Sequence, residues 1–265
     1  MLVNRTVCVG ILLLATTALA SAQEAPQGDT WQSIAQLPDW SGNWLIDRAA
    51  DGTNANASLA PMRLTPLYKA RQDKLLAEAE ARNNDIHSNT KLCIPVGALR
   101  VMTRLNRLYE FVFTPGQITI IPQTNEVRRI YTDGRGHAEN PKLTFGGDSI
   151  GHWEGKTLVV DTVAIHPRAE IAQLGGLLAG EAGNDVRMIE HIYNIAPDRI
   201  QTDFEITSPT ALAEPYRFTA THTRHNDWPM MEEVCAQNNL SLNPLTGNQA
   251  FPDEPGVVRS ILPPP

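Results

Sequence analysis

The side chains able to do chemistry concentrate in three short stretches. Asp133-Gly134-Arg135-Gly136-His137 brings an acid, a guanidinium and an imidazole into five residues. An imidazole titrates near neutrality, so His137 is a candidate base, with Asp133 or Arg135 orienting a substrate oxygen. The strand before this turn alternates, which puts Arg129, Tyr131 and Asp133 on one face where a single substrate would meet all three. An arginine presents a fixed fork of donors that matches a carboxylate, so an aromatic acid is a natural ligand for Arg129 and Arg135. Further on, Asp148, Ile150, His152 and Glu154 share a face, and a carboxylate close to His152 would raise its pKa. The pattern predicts His137, His152 and Tyr131 as a proton-handling set, with Arg129, Arg135 and Asp133 positioning an anionic or phenolic oxygen. In the competing arrangement Arg129 and Glu154 pair on the outside and Tyr131 packs on Trp153, because strand parity alone does not tell inside from outside.

Two further patterns carry less. Gly147-Asp148-Ser149-Ile150-Gly151 matches the G-x-S-x-G of esterases, but that motif needs a strand, a sharp turn and then a helix. Here it leads into Trp153-Glu154-Gly155-Lys156-Thr157-Leu158, a hairpin, so a glycine-rich strand start is expected. His191 alternates with Ile189 and Tyr193, and His222 with Tyr216, Phe218 and Ala220. If those faces and the His152 face point inward, the lumen carries three imidazoles. No H-x-H or H-x-x-x-H pair supports zinc, and no metal is predicted. No dinucleotide or Walker phosphate motif is complete.

The elements that must hold these residues are mostly strands. Trp40-Ser41-Gly42-Asn43-Trp44-Leu45-Ile46 reads as a first strand beginning at a G-x-W. Thr65-Pro66 starts a helix running to about Asn83. From Arg104 onward the period is two, and Pro-Gly, Asp-Gly, Glu-Gly, Pro-Asp and Ser-Pro turns separate the runs. About ten strands joined by short turns favour antiparallel neighbours, and closure into a barrel removes exposed edges. The fold class is therefore mainly β, an antiparallel, lipocalin- or calycin-like barrel with one N-terminal helix. A two-sheet sandwich is the rival. The expected organisation is a signal peptide at 1–22, a flexible lead-in at 23–38, a single barrel-like domain at 39–250 and a proline-rich tail at 251–265.

Of 265 residues, 42% are hydrophobic and 19% charged, which excludes a disordered or collagenous chain. A net charge of −7 without a basic block argues against nucleic acid. Arg5, the apolar stretch 7–20 and Ala20-Ser21-Ala22 form a secretory leader too short to anchor comfortably, predicting a periplasmic or secreted product not inserted in a membrane once the leader is removed. Cys8 leaves with that leader. Cys93 and Cys235 then remain, and two thiols in an oxidising compartment predict a disulfide. Oligomeric state is not set by the sequence.

Several segments together resemble one family. They are Trp40 to Trp44, Cys93-Ile94-Pro95, the run Arg128-Arg129-Ile130-Tyr131-Thr132-Asp133-Gly134-Arg135-Gly136-His137, the run from Ser149 through Trp153-Glu154-Gly155-Lys156 to Asp161-Thr162, and Cys235. The pattern is similar to a large family of exported bacterial proteins, abundant in proteobacteria and acidobacteria, whose members mostly carry no assigned function. The resemblance implies kinship and export, with little chemistry. Gly136 and Lys156 stand where the pattern has a bulkier and an acidic residue. The G-x-W is similar to that of lipocalin-like barrels. Two function classes follow from a barrel cavity. One is a cofactor-free lyase, decarboxylase or isomerase using acid/base chemistry on a small apolar or aromatic molecule, toward which the density of Tyr, His, Asp and Arg between 128 and 166 leans. The other is a carrier that binds such a molecule unchanged.

Overall fold

Runs such as Tyr-Glu-Phe-Val-Phe-Thr and Gln-Ile-Thr-Ile-Ile-Pro alternate bulky apolar with polar or surface residues, and their burial alternates with them. The computed structural model describes residues 28–47, 62–81, 93–104, 107–124, 126–169, 185–230, 241–242 and 249–250. In it a short helix α1 (Trp31–Ile34) precedes strand β1 (Asn43–Ile46), and helices α2 (Pro66–Ala81) and α3 (Ala98–Thr103) follow. Then come β2 (Tyr109–Thr114), β3 (Gln117–Pro122), β4 (Arg128–Tyr131), β5 (Asp148–Glu154), β6 (Thr157–Val163), β7 (Arg187–Ala196), β8 (Arg199–Thr207) and β9 (Tyr216–Arg224). Strands β1 to β9 form a closed barrel in chain order, and β10 (Ser241–Leu242) pairs with β11 (Gln249–Ala250) apart from it. The expected mainly β barrel is present. The long helix lies between β1 and β2, and the two short helices add to it.

Closure imposes a parity constraint. Nine strands running alternately up and down would bring β1 and β9 together in parallel, yet they pair antiparallel. One parallel neighbour pair, β4 with β5, resets the alternation. A parallel pair cannot be joined by a tight turn, so residues 132–147 run back along the outside of the barrel. The Asp133 to His137 stretch rides on that crossover.

The interior is layered. Toward the end that holds the β2–β3, β5–β6 and β7–β8 turns (the upper end), Trp40, Trp44, Phe111, Trp153 and Leu158 are buried together. Toward the other end an aliphatic cluster gathers Ile46, Met188, Phe204, Ile206 and Ala220 around Leu99 of α3 and Tyr68 of α2. A polar layer separates them. On β7, Glu190 lies between Met188 of one cluster and Ile192 of the other, and on β8 Thr202 lies between Ile200 and Phe204. Arg128 and Glu190 are fully buried, and the guanidinium grips the carboxylate with both terminal nitrogens, Nη1 to Oε1 at 2.9 Å. Arg128 Nη2 also donates to Thr162 Oγ1 at 3.0 Å, and Ser149 Oγ lies 2.9 Å from that hydroxyl.

His222 is the one inward-facing imidazole of the three considered. Its Nε2 lies 3.0 Å from the Met102 carbonyl in α3, and its ring meets Tyr109 edge-on at 5.5 Å. Burial pushes its pKa from 6.5 down to about 4, against the opposing pull of the Met102 and Ile200 carbonyls and of Asp47. Burial also raises the Tyr109 phenol, helped by Asp47 and Glu190.

Two outcomes follow. Glu190→Gln leaves the Arg128 charge unpaired in the core and should cost about 3–5 kcal/mol, lowering Tm by roughly 6–20 °C in calorimetry. Combining Glu190→Leu with Arg128→Met should recover most of that loss, and an unchanged Tm in the single variant would contradict the role given to the pair. For His222, the unfolded chain binds the proton first, so stability is complete above pH 6.5 and falls as pH drops toward 4, by roughly 3 kcal/mol. Denaturant titrations from pH 7 to 4 should show that slope in the native protein and a flatter one in His222→Gln; identical slopes would remove His222 as its source.

Candidate functional site

The upper end of the barrel is built around the G-x-W. Gly42 sits at φ +90°, and a Cβ there would lie 2.0 Å from Asn226 Oδ1, so only glycine lets the chain turn into β1 at that point. Trp44 is completely buried, donates from Nε1 to the Trp40 carbonyl at 3.0 Å, and carries the Arg224 guanidinium 4.8 Å from its ring centroid. Arg224 in turn donates to Asp39 Oδ2 at 2.9 Å and to the carbonyls of Asp39 and Pro197 at 2.5 and 3.1 Å. The Asp39 carboxyl is held down to about 2, first by the Ser41 hydroxyl at 2.6 Å and then by Arg224. Trp40 Nε1 donates to Asn194 Oδ1 at 2.5 Å.

These contacts pin residues 28–41 across the upper end. Within them α1 is closed by a capping box, Thr30 Oγ1 accepting from Ser33 N at 3.1 Å and Ser33 Oγ from Thr30 N at 3.0 Å. A cleft of about 320 Å³ lies between this segment and β2, walled by Ile34, Leu37, Pro38, Trp40, Phe111 and Phe113, with Asp39 and Ser41 at its polar side. Trp40 meets Phe111 and Phe113 at centroid distances of 4.9 and 5.7 Å. On the other side of Leu37 to Asp39 a more open cleft of about 610 Å³ reaches Lys156, Tyr193, Asn194 and Arg224. Burial and a 2.9 Å hydrogen bond to Asp203 raise the Tyr193 phenol.

The sequence-predicted residues lie elsewhere. On β4 the inward residues are Arg128 and Ile130, so Arg129 is exposed and Tyr131 half-buried on the outer face. On β5 Ser149 and Trp153 point inward while His152 and Glu154 are exposed, their side chains 3.0 Å apart. His191 is also exposed. The lumen of three imidazoles is therefore corrected to one, because the apolar partners of the opposite parity win the interior. Neither competing contact forms: Glu154 pairs with His152, and Trp153 packs on Trp40 inside.

The structure does bring part of the set together on the outer face. Arg135 lies 4.1 Å over the Tyr131 ring and holds Asp133 with Nε at 2.9 Å, lowering the acid through that hydrogen bond. His137 sits between two carboxylates, Nδ1 at 3.1 Å from Asp148 Oδ2 and Nε2 at 3.5 Å from Asp161 Oδ2. Burial raises the Asp161 carboxyl, but the two-point grip of Arg187, at 2.9 and 2.5 Å, and the nearby His137 outweigh it and leave it below the ordinary carboxylate. His137 Nε2 is itself buried. That geometry ties the crossover to β5 and β6.

Gly147-to-Gly151 is a packing feature. Gly147 has φ +67°, and a Cβ there would lie 2.5 Å from Thr162 Cγ2, while Ser149 is buried on Thr162. Cys93 is disulfide-bonded, and Cys235 lies outside the described residues, as do residues 1–22, 23–27 and 251–265. Among the described residues no cluster of three His, Cys, Asp or Glu side chains is placed to hold a metal, and no helix is long and apolar enough to cross a membrane. Sequence reasoning missed the cleft because residues 28–38 read as a polar lead-in; the Leu37-Pro38 pair ahead of the G-x-W was the available signal.

The two imidazoles should separate in melting experiments. His137→Ala removes the tether of the crossover and should cost about 1–2 kcal/mol, whereas His152→Ala on the open surface should stay within about 0.5 kcal/mol. Equal effects would contradict the distinction. No family model matches the chain, and no curated protein matches it.

Proposed function

We propose that the protein is an exported binder of a small, largely apolar, aromatic molecule held at the upper end of the barrel. The cleft of about 320 Å³ carries this conclusion, since three of its walls are the rings of Trp40, Phe111 and Phe113 and three more are Ile34, Leu37 and Pro38. Its size falls at the lower bound of roughly 300–1,000 Å³ for small-molecule pockets. Aromatic walls offer large apolar area and edge-to-face partners to a flat ring. The second cleft adds Lys156, Tyr193 and Asn194 for a polar tail.

Acid/base catalysis of lyase, decarboxylase or isomerase type has less support. His137 Nε2 is buried against Asp161, and His152 stands on the open surface beside Glu154. Two groups that must act on one substrate need to converge on it. For export, the support is the leader pattern in residues 1–22 together with the disulfide at Cys93, a bond that persists in oxidising compartments. With Cys8 in the leader, Cys235 is the partner in this account, and a thiol titration of the unfolded, unreduced mature protein should find no free thiol. Two free thiols would overturn that pairing.

Binding is tested by calorimetric titration of the mature protein with 2-ethylnaphthalene. One saturable site is expected, and Phe113→Asp, which puts a charge into the half-buried wall, should weaken binding at least about tenfold, the loss of one good apolar contact. Undiminished affinity in Phe113→Asp, or no saturable binding to the native protein, would contradict the assignment.

A further inference from the structure

The geometry points to a ligand that carries a neutral acceptor oxygen conjugated to its ring, an aryl ketone or aldehyde, whose oxygen is taken by the indole N–H of Trp153 when the Leu37 side chain swings aside. This rests on the binding assignment above and names its ligand class. Trp153 is 6% exposed, and its Nε1 is buried without a hydrogen-bond partner among the described residues. The other two interior indoles are satisfied, Trp40 by Asn194 and Trp44 by the Trp40 carbonyl. A buried donor left unpaired is costly, and buried indoles ordinarily find an acceptor. Trp153 is the exception, and it packs behind two of the rings that wall the cleft.

Its ring centroid lies 5.3 Å from that of Trp40 and 6.3 Å from that of Phe113, both cleft walls. A Cβ built on Gly28 would lie 3.7 Å from Trp153 Nε1 and 3.1 Å from Leu37 Cδ1, so Gly28 is the neighbour shared by the indole nitrogen and the Leu37 side chain. The Gly28 backbone is fixed, its carbonyl accepting from Gly116 N at 2.9 Å. Leu37 is half-buried and lines both clefts. Rotation of its side chain away from Gly28 is the movement by which the proposed ligand would reach the N–H.

The acceptor is neutral because Asp39 lines the same cleft and repels a carboxylate, while Arg224 is already occupied by Asp39 and Pro197. An aryl carbonyl is a strong acceptor that lies in the plane of its ring, so a flat ring meeting the tilted and edge-on rings of the cleft carries its acceptor with it. This replaces the aromatic acid expected from the arginines of β4 and the crossover, which lie on the outer face.

The experiment compares 2-acetylnaphthalene, 2-ethylnaphthalene and 2-naphthoate by calorimetry on the mature protein and on Trp153→Phe, which keeps a ring and removes the donor. The native protein should bind the ketone about tenfold more tightly than the hydrocarbon, one net hydrogen bond, and the naphthoate more weakly than the ketone. Trp153→Phe should bring ketone and hydrocarbon within about twofold of each other. The infrared carbonyl stretch of bound 2-acetylnaphthalene, read on the native protein, should move to lower frequency than in an apolar solvent, so the outcome does not depend on the variant folding. Equal affinity for ketone and hydrocarbon, an unshifted stretch, or a ketone preference that survives in Trp153→Phe would overturn the inference while leaving the binding assignment in place. Failure of both 2-acetylnaphthalene and 2-ethylnaphthalene to bind would overturn the two together.

Discussion

The buried pair of Arg128 and Glu190 is the interaction on which the rest of the barrel depends. The parity of a nine-strand closure demands one parallel neighbour pair, and the β4–β5 seam that supplies it holds only two paired positions, Ile130 with Ser149 and Tyr131 with Ile150. Arg128 reaches across that seam. Its guanidinium joins β4 to Glu190 on β7, to Thr162 on β6 and to Ser149 on β5. Four strands are thereby tied together by side chains at a seam where the backbone ladder is short. Taking two charges out of water is costly, and a buried pair is weak grounds for net stability by itself. What it contributes here is a set of side-chain ties across the seam, and the register itself is fixed by the neighbouring parity, since a slip of one residue on β4 would turn Ile130 outward and Tyr131 inward.

The same constraint explains the outer cluster. A parallel seam needs a returning segment, and that segment must be fastened to the wall it crosses. His137 between Asp148 and Asp161, with Arg187 behind Asp161, is that fastening. The blocks that begin at Arg128 and at Ser149 thus carry an inner face that closes the seam and an outer face that clamps the crossover. Residue types suited to catalysis serve architecture, and the apolar cleft lies at the barrel end.

How much of this was legible depends on what alternation encodes. The period of two along Tyr109 to Thr114 and Gln117 to Pro122, and the Glu154-Gly155 turn, locate strands and hairpins directly, because pleating and turn chemistry are local. The helix from Pro66 is equally local. Which face of β4, β5 and β7 turns inward is a property of the whole barrel. Arg128 and Arg129 are adjacent and chemically identical, so nothing in their own chemistry tells which meets Glu190 and Thr162 in the core; the parity that buries Ile130 puts Arg128 there. The parallel seam is likewise invisible to a reading of consecutive turns. The short α3 escaped because its six residues show no helical period, although five are buried once the barrel surrounds them.

At the functional end, the G-x-W signalled a barrel start, but the cleft is made by residues 28–41 folding over Phe111 and Phe113, a contact between segments some seventy positions apart. The central claim is that this cleft receives an aromatic molecule and that Trp153 meets it. The most direct measurement is a titration of the five tryptophan indole N–H signals of the nitrogen-15-labelled protein with 2-acetylnaphthalene. The account predicts that the Trp153 signal moves downfield in saturable fashion, while that of Trp44, already bonded to the Trp40 carbonyl and sealed beneath Arg224, stays in place. A Trp153 signal that does not respond, or a response confined to the exposed Trp31 and Trp228, would contradict it.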